Sequence, residues 1–222
     1  MKLSTIALSL LAPLGLLAAA PNVSADPAPE ASAHEIAEKM QGFYNKTKTF
    51  KSGFRQKYTI KAYNKKKESE GSVFFAKPGK MSWRYTNGNR VVSDGKKIKV
   101  FESDNKQMYE QSVDKSQYPA ALAFLSGDGD LKKSFRLKKL DSSALHWESG
   151  WVIQGTPRDP TPAYQRVLFY VDVVTGQARR VMLLDAQGNK NRFDFLTPSV
   201  NTKPSVDEFK FEAPPGTQVV KP

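Results

Sequence analysis

The chain has 222 residues, with 34 lysines and arginines against 22 aspartates and glutamates, two histidines, no cysteine and a net charge of +12. The missing cysteine excludes disulfides, thiolate metal sites, a cysteine nucleophile and lipidation of an N-terminal cysteine. A strongly basic balance invites a nucleic-acid reading, which the first residues argue against.

Those residues read as an export signal. Met1-Lys2 is a minimal positive start, residues 6–20 are almost wholly apolar, and Val23-Ser24-Ala25 has the small side chains of a cleavage site. The apolar run is short and interrupted by Pro13, so it suits a cleaved signal at 1–25 better than a spanning helix. The expected mature chain is a single domain over 26–222, exported and soluble. Without Lys2 it keeps 33 basic and 22 acidic residues, a net +11. Export makes nucleic acid an unexpected partner. The charges are spread along the chain apart from Lys65-Lys66-Lys67 and Lys132-Lys133. They read first as solvated strand faces and turns, and alternatively as attraction to anionic headgroups or acidic partner surfaces.

Ser32-Ala33-His34-Glu35 fits a capping box. Ile36, Met40, Phe43 and Tyr44 follow at helical spacing, and 47–49 end the helix. From Phe50 the period becomes two: Phe50, Phe54, Tyr58 and Ile60 alternate with Lys51, Arg55, Lys57 and Lys61. Lys65 to Lys67 are expected to turn exposed into a strand at 68–76, and Lys77-Pro78-Gly79 turns it into Met81, Trp83 and Tyr85. Asn87-Gly88 and Asp94-Gly95 are tight-turn signals around strands at 90–93 and 96–102, with another at 107–111. Pro119 is placed to open a short apolar helix at 120–125, stopped by Ser126-Gly127-Asp128-Gly129, and 130–134 suits another helical turn. Strands are expected again at 135–140, 146–154, 164–173, 178–185 and 190–195, with a last one at 209–211. The expected fold is mostly β: an unclosed antiparallel barrel of about 10–11 strands, covered by the N-terminal helix and a short helical lid.

No catalytic constellation emerges. His34 and His146 lie far apart, and no spacing places carboxylates beside them for a metal site or a triad. No nucleophile elbow, phosphate-binding loop or dinucleotide fingerprint is present. Asp128-Gly129-Asp130 lacks the ligand series of a calcium loop and reads as a turn. The chain is therefore expected not to be an enzyme and to need no metal or cofactor. The 13 Phe, 8 Tyr and 3 Trp mostly fill a β core. Val73-Phe74-Phe75 is apolar on both faces, so that strand needs cover on both sides. The helix with Tyr118, Leu122, Phe124 and Leu125 is the lid candidate, with nearby glycines as a hinge.

Five stretches in order resemble the outer-membrane lipoprotein carrier family, LolA. They are Phe50-Lys51-Ser52-Gly53-Phe54-Arg55-Gln56, the run from Gly71 through Lys77-Pro78 to Trp83, Val92-Ser93-Asp94-Gly95-Lys96, residues 125–131, and the Phe209-x-Phe211-x-x-Pro214-Pro215-Gly216-Thr217-x-Val219 end. The resemblance implies an unclosed barrel whose cavity holds lipoprotein acyl chains under a mobile lid. The implied cavity lining includes Met40, Phe54, Tyr58 and Phe75, together with Trp83, Tyr85, Phe169 and Met182. The implied partners are lipoproteins, an inner-membrane lipoprotein-releasing ABC transporter and an outer-membrane lipoprotein receptor, with the carrier a monomer in the periplasm. Lys77 occupies the position of an arginine that latches the lid in the family. It supplies donors without the planar fork of arginine, and a turn lysine in solvent is the competing role. Two other functions fit the same fold: a periplasmic lipid-binding sensor, usually carrying a further C-terminal domain, and a carrier of another amphiphile such as a glycolipid or phospholipid.

Overall fold

The computed structural model describes residues 30–113 and 129–220. The expected signal segment and the lid residues Tyr118, Leu122, Phe124 and Leu125 lie outside them. Helix α1 (Ala33–Lys46) begins at the capping box: Ser32 Oγ accepts from Glu35 N–H, and the Glu35 carboxylate accepts from Ser32 N–H at 2.8 Å. Ile36, Ala37, Met40 and Tyr44 form its buried face, while His34 is exposed in the first turn.

The strands follow as β1 (Thr49–Ile60), β2 (Lys65–Ala76), β3 (Lys80–Tyr85), β4 (Arg90–Asp94), β5 (Lys97–Glu102) and β6 (Gln107–Ser112). A single helical turn, α2 (Leu131–Ser134), capped by the Asp130 side chain, leads into β7 (Phe135–Leu140). Then come β8 (Gly150–Pro157), β9 (Arg166–Asp172), β10 (Ala178–Leu184), β11 (Lys190–Val200) and β12 (Gln218–Val220). All twelve form one sheet in the order β12-β6-β5-β4-β3-β2-β1-β11-β10-β9-β8-β7. The terminal strands β12 and β7 do not pair with each other, so the sheet is unclosed.

Its curvature follows from its core. Twelve strands laid flat would span about 50 Å at about 4.8 Å per strand, whereas a 14-residue helix is about 21 Å long. Yet one apolar cluster joins Met40 and Tyr44 of α1 to Ile98 of β5, Trp83 of β3, Phe54 of β1, Phe193 of β11, Phe169 of β9 and Phe135 of β7. Only a strongly curled sheet brings strands so far apart in the ladder under one helix. A second, smaller cluster lies on the outer face of β7–β10, where Val152, Leu168 and Tyr170 pack with Leu140, Leu145, Trp147, Met182 and Leu184.

Four local expectations are corrected. Lys65 to Lys67 are not a turn: they open β2, paired with residues 58–60 of β1, and the chain reverses at 61–64 with Asn64 at φ 47°. His146 is not in a strand. It ends the 3-10 turn Ser143–Leu145 in the left-handed region, Asp141 Oδ1 accepts from Ser143 N–H at the start of that turn, and β8 starts only at Gly150. Residues 209–211 do not pair in the sheet. That segment crosses the outer face, with the Phe209 ring 5.9 Å from Phe74 and the Phe211 ring 5.5 Å from Phe101, so its backbone lies over the ladder and not beside it. The last strand is instead β12, which is parallel to β6, an exception to the expected antiparallel pattern.

The crossing answers the two-faced character of Val73-Phe74-Phe75. Val73 and Phe75 enter the helix-covered cluster, and the C-terminal segment covers Phe74.

Candidate functional site

The helix-covered face of the sheet is the candidate site, and aromatic side chains dominate it. Trp83 of β3, fully buried, sits at its centre, with ring centroids 4.8 Å from Phe54, 5.3 Å from Phe193 and 5.7 Å from Phe75. Tyr85 joins through Phe54 at 5.0 Å, and Phe50 bridges Phe75 and Phe195. On the far flank Phe135 and Phe169 meet at 5.9 Å. These are mostly edge-to-face contacts, the geometry ring quadrupoles favour.

Strand alternation puts the rings there. Phe54, Gly71 and Tyr85 are aligned across β1, β2 and β3. Gly71 has no Cβ, so the Phe54 and Tyr85 rings meet over it.

Polar groups are few. Among the described residues the buried polar side chains are Thr47, Ser52, Ser82, Ser93 and Gln177, and none is charged. The Tyr44 hydroxyl reaches across from α1 to accept from Ala178 N–H at 3.2 Å, and burial pushes its phenol well above the ordinary range, so it stays neutral. Among the described residues the Trp83 indole N–H has no hydrogen-bond partner. Leaving a buried donor unmet costs about 1–3 kcal/mol, and here it stands in the middle of the apolar cluster. No set of three or more His, Asp or Glu side chains among the described residues could hold a metal ion. A groove of about 650 Å³ also lies between the C-terminal segment and the outer face; Val92, Val206, Phe209 and Phe211 line it together with Lys80, Asp94, Lys97, Lys99, Glu110 and Glu212, so apolar and charged side chains are mixed there, unlike on the inner face.

Of the residues expected to line a cavity, Met40, Phe54, Phe75, Trp83 and Phe169 are buried together in the helix-covered cluster, and Tyr85 packs against it. Tyr58 lies further along the same face of β1 as Phe54 and is half-buried, beside Lys67 of β2. Met182 is on the wrong face: it packs in the outer cluster, while its neighbours Val181 and Leu183 enter the inner one. β10 is apolar on both faces, so hydrophobicity alone did not distinguish the two parities. Tyr44, Phe50, Phe193 and Phe195 were missed as lining. Their signal was available in the period-two alternation of β1 and β11 and in the helical spacing of α1.

Lys77 is placed to hold the helix. Its Nζ donates to the Tyr44 carbonyl at 2.6 Å and, more weakly, to that of Asn45 at 3.5 Å, in the last turn of α1. The Tyr44 carbonyl also accepts from the C-cap Thr47 N–H at 3.1 Å, and a cation there meets the negative end of the helix dipole. The Lys77-Pro78-Gly79 turn is braced by the next hairpin. Ser93 Oγ donates to the Gly79 carbonyl at 3.3 Å. The Asp94 carboxylate accepts from the backbone N–H groups of Lys97 and Lys96, which hold it below the usual carboxylate range. Gly95, at φ 96°, leaves only 3.1 Å between the place of a Cβ and the Pro78 carbonyl oxygen. Two motifs separated in sequence thus form one bracket that seats α1 on the sheet. Lys77→Met is expected to cost about 1.5–3 kcal/mol, the range of a hydrogen bond involving a charged group. Thermal melting would show the loss, and amide exchange would be faster in the last turn of α1; Lys77→Arg keeps a donor and is expected to recover most of it.

The family model described as Outer membrane lipoprotein carrier protein LolA matches residues 45–212, which include the aromatic strands, the bracket and the crossing C-terminal segment. The chain belongs to the LolA family. It is 30% identical over 219 residues to a protein of Bordetella avium (strain 197N) named outer-membrane lipoprotein carrier protein, covering 96% of this chain and 97% of that one. A protein of the same name from Methylibium petroleiphilum is 31% identical over 193 residues, covering 85% and 91%. The fold is also similar to the crystal structure of an uncharacterized conserved protein from Thermus thermophilus, with a TM-score of 0.52 at 13% identity, covering 86% of this chain and 99% of that one.

Proposed function

We propose that this chain is a periplasmic carrier that binds lipoproteins by their acyl chains and moves them from the inner to the outer membrane. The observation that carries the reading is the uncharged, aromatic inner face under α1, in a chain of the LolA family. An acyl chain in water costs about 0.8 kcal/mol per CH₂, so transit between two membranes requires an apolar enclosure and no chemistry. The inner-face rings are almost completely buried. Cargo therefore enters by displacing part of the cover, and burial of the acyl chains offsets the contacts that are lost. The residues proposed to line the chamber are Met40, Phe54, Phe75, Trp83, Tyr85 and Phe169, with Tyr58 at its open end. The segment around Leu122 and Phe124 is the proposed lid, and Lys77, through α1, acts on how readily the cover lifts.

The proposed donor is an inner-membrane lipoprotein-releasing ABC transporter, and the proposed acceptor an outer-membrane lipoprotein receptor. Energised inner-membrane vesicles loaded with a triacylated lipoprotein provide the test. The expected result is a soluble one-to-one complex of lipoprotein and carrier. If the lipoprotein stays with the vesicles and phospholipid is extracted instead, the chain carries a different amphiphile.

A further inference from the structure

The far end of the β1–β2 hairpin has a composition that neither the apolar chamber nor the bracket explains. From Lys57 to Lys67 there are five lysines, two tyrosines, one isoleucine and no acidic residue. Residues 61–68 are all exposed, and Tyr63, in the turn, is 82% exposed. The hairpin is tied to its neighbour, since Lys61 N–H donates to Asn189 Oδ1 at 3.0 Å in the β10–β11 turn. Lys190 of β11 and Lys66 of β2 flank Thr59 of β1 on either side. The tip is therefore held in shape by three strands and presents cations from two hairpins.

Nearby acids do not neutralise it. Glu68 is paired with Lys57 at 2.7 Å. Asp185 accepts from the backbone N–H groups of Gln187 and Asn189 in its own turn. Glu70 lies further back along β2. Among the described residues, no ion pair or hydrogen bond occupies the ammonium groups of Lys61, Lys65, Lys66, Lys67 or Lys190.

One local role for some of these lysines is to guard a strand edge. β3 pairs with β2 from Gly71 to Ala76, and Thr86 N–H donates to the Glu70 carbonyl, so residues 65–69 form a free edge, and lysines deter pairing there. That role needs neither an exposed tyrosine in the turn nor Lys61 and Lys190, which lie off this edge. An aromatic ring at the tip of a lysine cluster is the pattern of a membrane–water interface, where the ring enters the headgroup layer and the ammonium groups meet phosphates.

We propose that the tip of the β1–β2 hairpin is a contact site for anionic phospholipid surfaces, with Tyr63 entering the interface and Lys61, Lys65, Lys66, Lys67 and Lys190 facing the headgroup phosphates. Such a site would bring the carrier to a membrane before any protein partner engages it. It adjoins the open end of the proposed chamber, where Lys67 pairs with Tyr58, but uses none of the proposed lining residues, and its test contains no lipoprotein.

The experiment is co-flotation of the mature protein with vesicles of phosphatidylcholine alone or mixed with phosphatidylglycerol, at low and physiological salt. The expected result is flotation only with the anionic vesicles, weakened by salt. Each lysine near such a surface is worth about fivefold in affinity, so Lys65→Gln/Lys66→Gln/Lys67→Gln is expected to weaken binding on the order of 100-fold with an unchanged melting temperature. Tyr63→Trp is expected to add a fluorescence component that shifts blue on anionic vesicles. Equal flotation of the triple variant and the wild type, no flotation with anionic vesicles, or binding of the tip to an acidic protein while vesicles are ignored would each overturn the proposal.

Discussion

Trp83→Ala is expected to lower the stability of the folded protein by about 3–5 kcal/mol, the range for emptying the site of a fully buried large aromatic. The indole is 0% exposed and touches rings from β1, β2 and β11 at once. Removing it opens a void that three strands in the middle of a curled sheet cannot collapse into. Trp83→Phe separates size from polarity. It leaves a smaller void and removes the unpartnered N–H, so the two changes oppose each other and the expected loss is no more than about 1.5 kcal/mol. Urea unfolding of the three proteins, followed by circular dichroism, decides the matter. A Trp83→Ala midpoint close to that of the wild type would mean the inner face is loosely packed, and the central role given to this residue would fail.

The second large effect is expected at Gly71. A Cβ there would lie 1.9 Å from the Arg84 carbonyl oxygen and 2.9 Å from Tyr85 Cα, both backbone atoms of β3. No rotamer relieves that approach, so β2 and β3 must separate. They would do so where Phe54 and Tyr85 meet over the glycine. Forced overpacking costs about 1–3 kcal/mol when side chains give way, and here the backbone must move. Gly71→Ala is therefore expected at or above the top of that range. Gly53→Ala is the control, because its added Cβ would find nothing nearer than Leu196 Cβ at 3.6 Å. Comparable melting temperatures for the two variants would show that the β2–β3 contact yields easily. The glycine that opens the Gly71-to-Trp83 motif thus has a steric reason: two strands approach so closely that only hydrogen fits between them.

Much was legible in the sequence because it is locally encoded. The Ser32–Glu35 capping box and the spacing of Ile36, Met40 and Tyr44 specify α1 within a few turns of chain. Asn87-Gly88 and Asp94-Gly95 mark reversals through backbone conformations that few residues adopt, and period-two alternation marks the strands. The places of Phe54 and Trp83 follow from that alternation on strands with one wet face, whereas Val73-Phe74-Phe75 is apolar on both faces and leaves Phe75 to the family resemblance.

What tertiary structure alone decided was the sign of the alternation wherever both faces are covered. Val181, Met182 and Leu183 are equally apolar, and only the positions of α1 and of the Trp147 loop on opposite sides of β10 assign Met182 outward. Phe209 and Phe211 alternate as in a strand, yet their partners Phe74 and Phe101 lie on a sheet face, more than a hundred residues earlier. Lys77 read equally well as a latch or a solvated turn residue. Its bond to the Tyr44 carbonyl depends on where β2 delivers the turn relative to the end of α1. The sequence by itself determined most of the elements, the family and an apolar inner face, since these rest on short-range periodicity and motif order. Which rings meet, what covers the second face and what holds the helix down depend on the curl of twelve strands, and that is set by contacts between residues far apart in the chain.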